Sequence, residues 1–224
     1  MTTVTKMRLS KETFNILKNF AVINSNILIK PGNLLRTVSM GKNIYAEAKV
    51  SEEFDTQIAI WDLNKFLGVV SMFNNPDLEF HDTHVDISNG KSTVTYYYSE
   101  ASLLTYPSKQ IKMPDTLISF ILEEQDLNEI MKAASILQVS DVSVKATAND
   151  KLEIFVSDVS NNTSNHFSII VDEKYTGPDF QGSFKVSEIK FLPGSYKVDL
   201  TDTFISKFTH QSQDISYYIS IHKD

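Results

Sequence analysis

The chain has 224 residues, of which 42% are hydrophobic, so it is long enough for one large domain or for two smaller ones. It contains no cysteine, which excludes disulfides, thiol catalysis and cysteine-bound metals. The formal net charge of −7 argues, taken alone, against a nucleic-acid-binding protein. The N-terminus has no signal-like apolar segment and no run of about 18 apolar residues occurs, so we expect a protein that is neither exported nor membrane-embedded.

The first half of the sequence predicts two amphipathic helices separated by strands. Ser10 is placed to cap a helix that runs to about Asn24, with apolar residues on one half of its wheel and mainly lysine and asparagine on the other. The second helix is DLNKFLGVVSMF, residues 62–73, in which Asp62 can cap the start. The predicted strands of this half are NILIK, LLRTVSM, NIYAEAKV, TQIAIW, DLEFHD, HVDIS and STVTYYYSE.

Residues 101–115 break the pattern, because they contain two prolines and show no clear period, and we interpret them as a linker. After them the order repeats, with the helix QDLNEIMKAASIL and a short helical segment, VSEIKFLPG, set among strands. The strands are LISFIL, VSVKATA, KLEIFVSDV, HFSIIVD, YKVDL, TFISKF and ISYYISI. This internal repeat predicts an α+β fold with two similar domains, 1–110 and 111–224, each with antiparallel sheets and two helices.

Motifs of nucleotide-binding and hydrolytic enzymes do not occur in the sequence. GxSxG, GxGxxG and GxxxxGK[ST] are all absent. Glu123, Glu124 and Asp126 stand at the start of a predicted helix, where the helix dipole favours negative charge without any catalytic role. A triad scattered over distant strands, as in a small hydrolase, stays open as an alternative, but we expect no enzyme and no cofactor.

The segment His81-Asp82-Thr83-His84-Val85-Asp86 carries residue types that bind metal ions. In a continuous strand, however, His81 and His84 would point to opposite faces. We therefore expect exposed polar residues at a hairpin and no metal site.

The first half resembles the sliding clamps, the DNA polymerase processivity factors, of T-even bacteriophages. LSKETFNILKNFAVINSNILI and NIYAEAKVSEEFDTQIAIWDLNKFLGVVSMFNN share with them LSK-x-T, LKNFA-x-INS, YAEA and AI-x-DLN-x-FLG, in order and at matching spacing. The second half adds weaker matches at Asp126-Leu127, at Leu137-Gln138 and in the turn Pro193-Gly194-Ser195-Tyr196-Lys197.

The resemblance implies a ring of three identical subunits, each with two clamp-type domains, that encircles duplex DNA without reading its sequence. Such a ring tethers the replicative polymerase, is loaded by a clamp loader, and serves a late-transcription sigma factor and co-activator. We therefore expect a phage-encoded, non-enzymatic protein of the host bacterial cytoplasm; the alternative is a β-rich phage binding module that is not a ring. The sequence stops just past the last predicted strand, so we expect no function that needs a longer C-terminal tail.

The resemblance also implies that the helices line the hole and face DNA. A ring that slides needs only a modest local excess of positive charge near the phosphates, which makes the net charge of −7 tolerable. Asn15, Asn64 and Asn128 fall at corresponding positions on their helical wheels, each near a lysine. The predicted DNA-binding residues are Arg8, Lys11, Asn15, Lys18, Lys65, Lys132, Lys185 and Lys190.

Two protein-binding sites follow from the same resemblance. Strands 92–100 and 166–172 should be sheet edges that pair between subunits, through Thr95, Tyr97, Ile169 and Ile170. An apolar pocket between the domains should take the C-terminal peptide of the polymerase. Its predicted lining is Met40, Leu104, Tyr106, Tyr218 and Ile221.

Overall fold

The computed structural model describes residues 5–158, 160–161 and 163–222, which form two compact units, Met1–Gln110 and Ile111–Asp224. Val159, the last residue of the predicted strand KLEIFVSDV, lies outside the described residues. The elements of the first unit are β1 (Thr5–Met7), α1 (Lys11–Ile23), β2 (Ile27–Ile29), β3 (Gly32–Val38), β4 (Ile44–Phe54), β5 (Ile58–Ile60), α2 (Leu63–Ser71), β6 (Asp77–Phe80), β7 (His84–Ser88), β8 (Thr93–Tyr97) and a 3₁₀ turn (Ala101–Leu103).

All strand pairs of the first unit are antiparallel among the described residues. Four strands pair in the order β1-β6-β7-β8, while β2 pairs with β5 and β3 with β4. The helix α1 packs on β3 and β4 and beside α2, and the ring of Phe66 in α2 meets Tyr96 of β8 edge-on at 5.4 Å. The predicted helices and their faces are confirmed.

The second unit repeats the use of antiparallel sheets. Its elements are β9 (Ile118–Leu122), α3 (Glu124–Leu137), β10 (Asp141–Ala146), β11 (Asp150–Ser157), β12 (Phe167–Tyr175), β13 (Phe180–Lys185), a 3₁₀ turn (Val186–Glu188), β14 (Tyr196–Leu200), β15 (Ile205–His210) and β16 (Ile215–Ser220). The strands pair in the orders β12-β11-β10-β13 and β16-β15-β14-β9. The helix α3 packs on β10, β11 and β12.

The second helix predicted for this unit, VSEIKFLPG, is only the single 3₁₀ turn. The residues after this turn pack into the aromatic core instead. The Phe191 ring lies 4.7 Å from that of Phe208 and 4.8 Å from that of Tyr217. The backbone of Leu192 bonds to two tyrosines: its N–H donates to the Tyr217 hydroxyl at 3.1 Å, and its carbonyl accepts from Tyr196 at 2.5 Å. These groups are therefore not available for further helical turns.

The start of the predicted linker belongs to the first unit. Leu104 is buried against Leu28 and Ala59, and Tyr106 packs on the same cluster. The side-chain amide of Asn24 also donates to the carbonyl of Thr105 at 2.9 Å. Leu104 and Tyr106 are thus part of the hydrophobic packing of the first unit. The segment without regular secondary structure begins after them.

Two glycines allow a matched test of the backbone. A Cβ at Gly68, on the exposed side of α2, would meet nothing within 4 Å, and Gly194 has a φ of +145° with His210 Nε2 only 2.2 Å from the position of a Cβ. Gly68→Ala should raise the free energy of unfolding by about 0.5–1 kcal/mol, because glycine weakens a helix interior. Gly194→Ala should lower it by more than about 1 kcal/mol, because alanine is strained at that φ. Urea unfolding of both variants checks this, and a shift of the same sign in both would contradict it.

Candidate nucleic-acid interface

Both α-helices of the first unit have a side-chain cap at the N-terminus. Ser10 caps α1 by accepting from the Thr13 N–H at 3.1 Å, and Asp62 caps α2 by accepting from the Lys65 N–H at 2.9 Å. Glu52 of β4 accepts from the Ser10 N–H at 2.5 Å and from the Thr13 hydroxyl. Burial alone would raise the pKa of Glu52, but these hydrogen bonds hold it below its ordinary value, so the carboxylate stays charged beside the positive end of α1.

The outward faces of α1 and α2 carry small polar and basic side chains. On α1, Lys11, Asn15 and Lys18 are all exposed and lie one turn apart. On α2, Asn64 and Lys65 are exposed beside a helix surface that contains no acidic residue. Together the two helices have three lysines and one glutamate, so this face of the unit is weakly positive.

The helix α3 presents a different face in the second unit. Asn128 and Lys132 are exposed, as predicted, but so are Glu124 and Glu129, and Gln125 donates to Glu129 at 3.0 Å. These five side chains line one shallow groove. With a single lysine and three acidic residues, α3 is negative overall, so the charge of Lys132 is offset by its own helix.

Two of the predicted cations outside the α-helices are already paired. Arg8 donates to Asp77 at 2.6 Å and, by that hydrogen bond, holds the pKa of Asp77 below its ordinary value. Lys185 donates to the buried Asp141 at 2.5 Å, a contact that raises the pKa of the lysine. Lys190 follows the 3₁₀ turn and is half-buried. Sequence patterns gave no sign of these carboxylate partners, because they are distant along the chain.

Both strands predicted as subunit contacts lie at sheet edges, as expected. In β8, Thr95 and Tyr97 are exposed, and the tyrosine has 72% of its surface accessible. In β12, Ile169 is half-buried and Ile170 is 48% exposed. An exposed isoleucine and tyrosine on unpaired edges are features of strands that associate with other chains.

The residues predicted for the partner pocket differ in burial. In the first unit, Met40 is 69% exposed, Tyr106 is half-buried with the Lys30 ammonium 5.4 Å from its ring, and Leu104 is covered by its own unit. In the second unit, Tyr218 and Ile221 are each 5% exposed, and Lys207 lies over the Tyr218 ring.

The geometry expected for His81 and His84 is wrong. His81 lies in the turn after β6, outside the strand, so the alternation of faces does not apply to the pair. The two imidazole rings stack on the same side with centroids 4.4 Å apart.

Known proteins identify the fold and the family. Residues 10–113 match the family model described as DNA polymerase processivity factor. The chain is 30% identical over 228 residues to the sliding clamp of Escherichia phage RB69, covering 97% of this chain and 98% of that protein. It is 30% identical over 198 residues to the sliding clamp of Enterobacteria phage T4, covering 86% of each.

A solved structure of PCNA from A. fulgidus, bound to the C-terminal region of FEN-1, superimposes with a TM-score of 0.72. At 10% identity, and with 100% of this chain and 99% of that chain covered, this likeness shows a shared fold. Because the phage relatives at 30% identity are sliding clamps, the alternatives of a small hydrolase and of a binding module outside the clamps are wrong. The chain belongs to the sliding-clamp family, and it is a DNA polymerase processivity factor that acts without catalysis.

Proposed function

We propose that three copies of this chain close into a ring around duplex DNA in the cytoplasm of a phage-infected bacterium. The observation that carries this proposal is the lysine and asparagine face of α1 and α2, on the side of the helices opposite their buried stripes. The ring holds the replicative polymerase on its template and is opened and loaded by a clamp loader. A late-transcription sigma factor and its co-activator use the same ring.

Weak contacts suit this task. Each lysine that neutralises a phosphate releases a counterion, and many such contacts would fix the protein in place. The few exposed lysines of the helix faces give a sequence-independent attraction that lets the ring move. Topological linkage, rather than affinity, keeps the ring on DNA.

The DNA face is tested with the combined variant Lys11→Ala, Lys18→Ala, Lys65→Ala and Lys132→Ala. Fold stability should change by no more than about 0.5 kcal/mol per site, because all four side chains are exposed. Residence on DNA should shorten and its salt dependence should flatten. The measurement is polymerase processivity on primed DNA with the clamp loader and ATP, over a range of salt concentrations.

A matched control removes the same charge from exposed strand and loop positions, Lys49, Lys91, Lys112 and Lys145. It should retain the processivity of the unaltered protein. Because α3 is negative, Lys132→Ala alone should have less effect than the other three substitutions together. Equal processivity of the helix and control variants would show that another face meets DNA.

Assembly is proposed to occur by pairing of β8 with β12 of a neighbouring subunit. Such a contact is head to tail, and it generates a closed ring when the rotation between subunits allows. Both strands are edges whose outer backbone groups have no strand partner among the described residues. Thr95, Tyr97, Ile169 and Ile170 are the side chains proposed at this contact.

Proline at 169 and at 170 tests the assembly. In an antiparallel pair, neighbouring residues alternate between pointing their N–H groups at the partner strand and away from it. Of the two variants, Ile169→Pro and Ile170→Pro, one should therefore disturb the pairing of β12 with β11, and the other should remove a donor only from the free edge. Native mass spectrometry should show a trimer near three times 25.4 kDa for the unaltered protein and loss of that trimer in the edge variant. Trimers in both variants would refute this interface.

The surface around Met40 and Tyr106 in the first unit is proposed to bind the C-terminal peptides of the polymerase and other partners. The A. fulgidus PCNA structure supports this idea, since its partner is the C-terminal region of another protein. A methionine that is 69% exposed is adaptable enough to accept several partners in turn.

The double variant Met40→Ala and Tyr106→Ala should weaken peptide binding by about 2 kcal/mol or more, as loss of central apolar anchors does. These two residues are better probes than Leu104, Tyr218 and Ile221, whose burial makes truncation costly for the fold. Calorimetry with a polymerase C-terminal peptide measures the effect. Met72→Ala, at a methionine that is 71% exposed, is the control and should bind normally. Undiminished binding by the double variant would exclude this surface.

A further inference from the structure

The turn after β6 and the start of β7 together hold a compact cluster of His81, His84 and Asp86. The backbone N–H of His81 donates to the backbone carbonyl of His84 at 2.9 Å and closes the turn. Both imidazoles then lie on the same side of the sheet. The rings stack at an interplanar angle of 16°. Across residues 5–158, 160–161 and 163–222, this is the one place where three side chains of metal-binding type converge.

The distances within the cluster suit a single small ion. One ligand atom from each residue lies within 4.8 Å of the other two. Asp86 Oδ2 is 3.6 Å from His81 Nε2 and 3.9 Å from His84 Nε2. Ligands bound tetrahedrally to zinc at about 2.0–2.1 Å stand roughly 3.3–3.5 Å apart, so small side-chain rotations suffice to bring the three onto one ion.

The cluster also has the supporting hydrogen bonds that metal ligands need. Thr95 of β8 donates to Asp86 Oδ1 at 2.6 Å, which leaves Oδ2 to face the imidazoles. The Nδ1 of His84 lies 3.1 Å from the Thr83 hydroxyl, so its Nε2 is the ring nitrogen with capacity for a metal. Such contacts orient ligands before the ion arrives.

One atom of the cluster lacks a hydrogen-bond partner. His81 Nε2 is buried and makes no hydrogen bond. A buried polar atom without a partner costs free energy, and a metal ion would satisfy it. The three side chains nevertheless keep 26–30% of their surface accessible, so an ion can reach them from solvent.

We propose that His81, His84 and Asp86 bind one zinc ion per chain. Two imidazoles and one carboxylate are ligands that zinc takes readily, and with three protein ligands a fourth position stays open for water. Because Asp86 is tied to Thr95, and the Tyr97 ring lies 5.6 Å from that of His84, a bound ion would also brace the edge strand β8.

Calorimetric titration of the untagged full-length protein with zinc chloride tests this proposal without DNA or any partner, so its outcome is independent of the proposed function. The expected result is one zinc per chain, with a higher melting temperature at saturating zinc. His81→Ala and His84→Ala should each abolish this binding. Thr95→Val keeps all three ligands and removes the hydrogen bond to Asp86, so it should weaken zinc binding about 10–100-fold.

The control is His166→Ala, since His166 is an exposed histidine of the second unit and should leave zinc binding unchanged. Circular dichroism establishes that each variant is folded, and visible absorption of the cobalt-substituted protein reports whether nitrogen and oxygen ligands surround the ion. Absence of saturable zinc binding would overturn the proposal and leave the cluster as a histidine–carboxylate contact. Binding that persists in both ligand variants, or that is lost in the control, would overturn it equally.

Discussion

The whole arrangement depends on burial of the apolar stripe of each helix inside its own unit. Phe20 of α1 is fully buried, and Leu63 of α2 is 1% exposed. Burying one such side chain contributes about 1.5–3 kcal/mol, whereas an exposed charge pair contributes about 0–1 kcal/mol. Core packing therefore decides how each helix is turned about its axis, and the lysines on the opposite side lie where that packing leaves them. In the proposed function, this leaves only a few exposed lysines to contact DNA.

In the second unit, aromatic rings supply much of the buried apolar surface. Phe191, Tyr196 and Tyr217 pack together, and both tyrosine hydroxyls bond to the backbone of one residue, Leu192. Burial raises the pKa of both tyrosines well above the ordinary value, so both hydroxyls stay neutral at any physiological pH. The buried tyrosine hydroxyls thus have hydrogen-bond partners. The segment that contains Leu192 packs as an aromatic cluster, at the point in the second unit where the first unit has α2.

Charge is distributed unevenly in a chain whose formal net charge is −7. The lysines of α1 and α2 face solvent without an excess of acids, while Arg8 and Lys185 are held by Asp77 and Asp141. A paired cation has less charge to offer a phosphate, because the carboxylate beside it cancels most of its field. The exposed Tyr97 of the edge strand β8 lies beside the histidine cluster, with the ring centroids of Tyr97 and His84 5.6 Å apart.

The sequence by itself determined the three α-helices, the caps of α1 and α2 and most strands, because Ser10, Asp62 and the apolar periods act through neighbours a few residues away. It also determined the family, through motifs that lie close together along the chain. Tertiary structure alone decided β1 and β13, which are too short or too irregular to show a period and form because β6 and β10 supply their hydrogen bonds. It decided as well that His81 and His84 share one side of a turn and that Leu104 is covered by Leu28. These features depend on contacts between residues far apart in sequence, or on the backbone conformation of one turn. Local hydrophobic periodicity contains no information about such contacts or about that conformation.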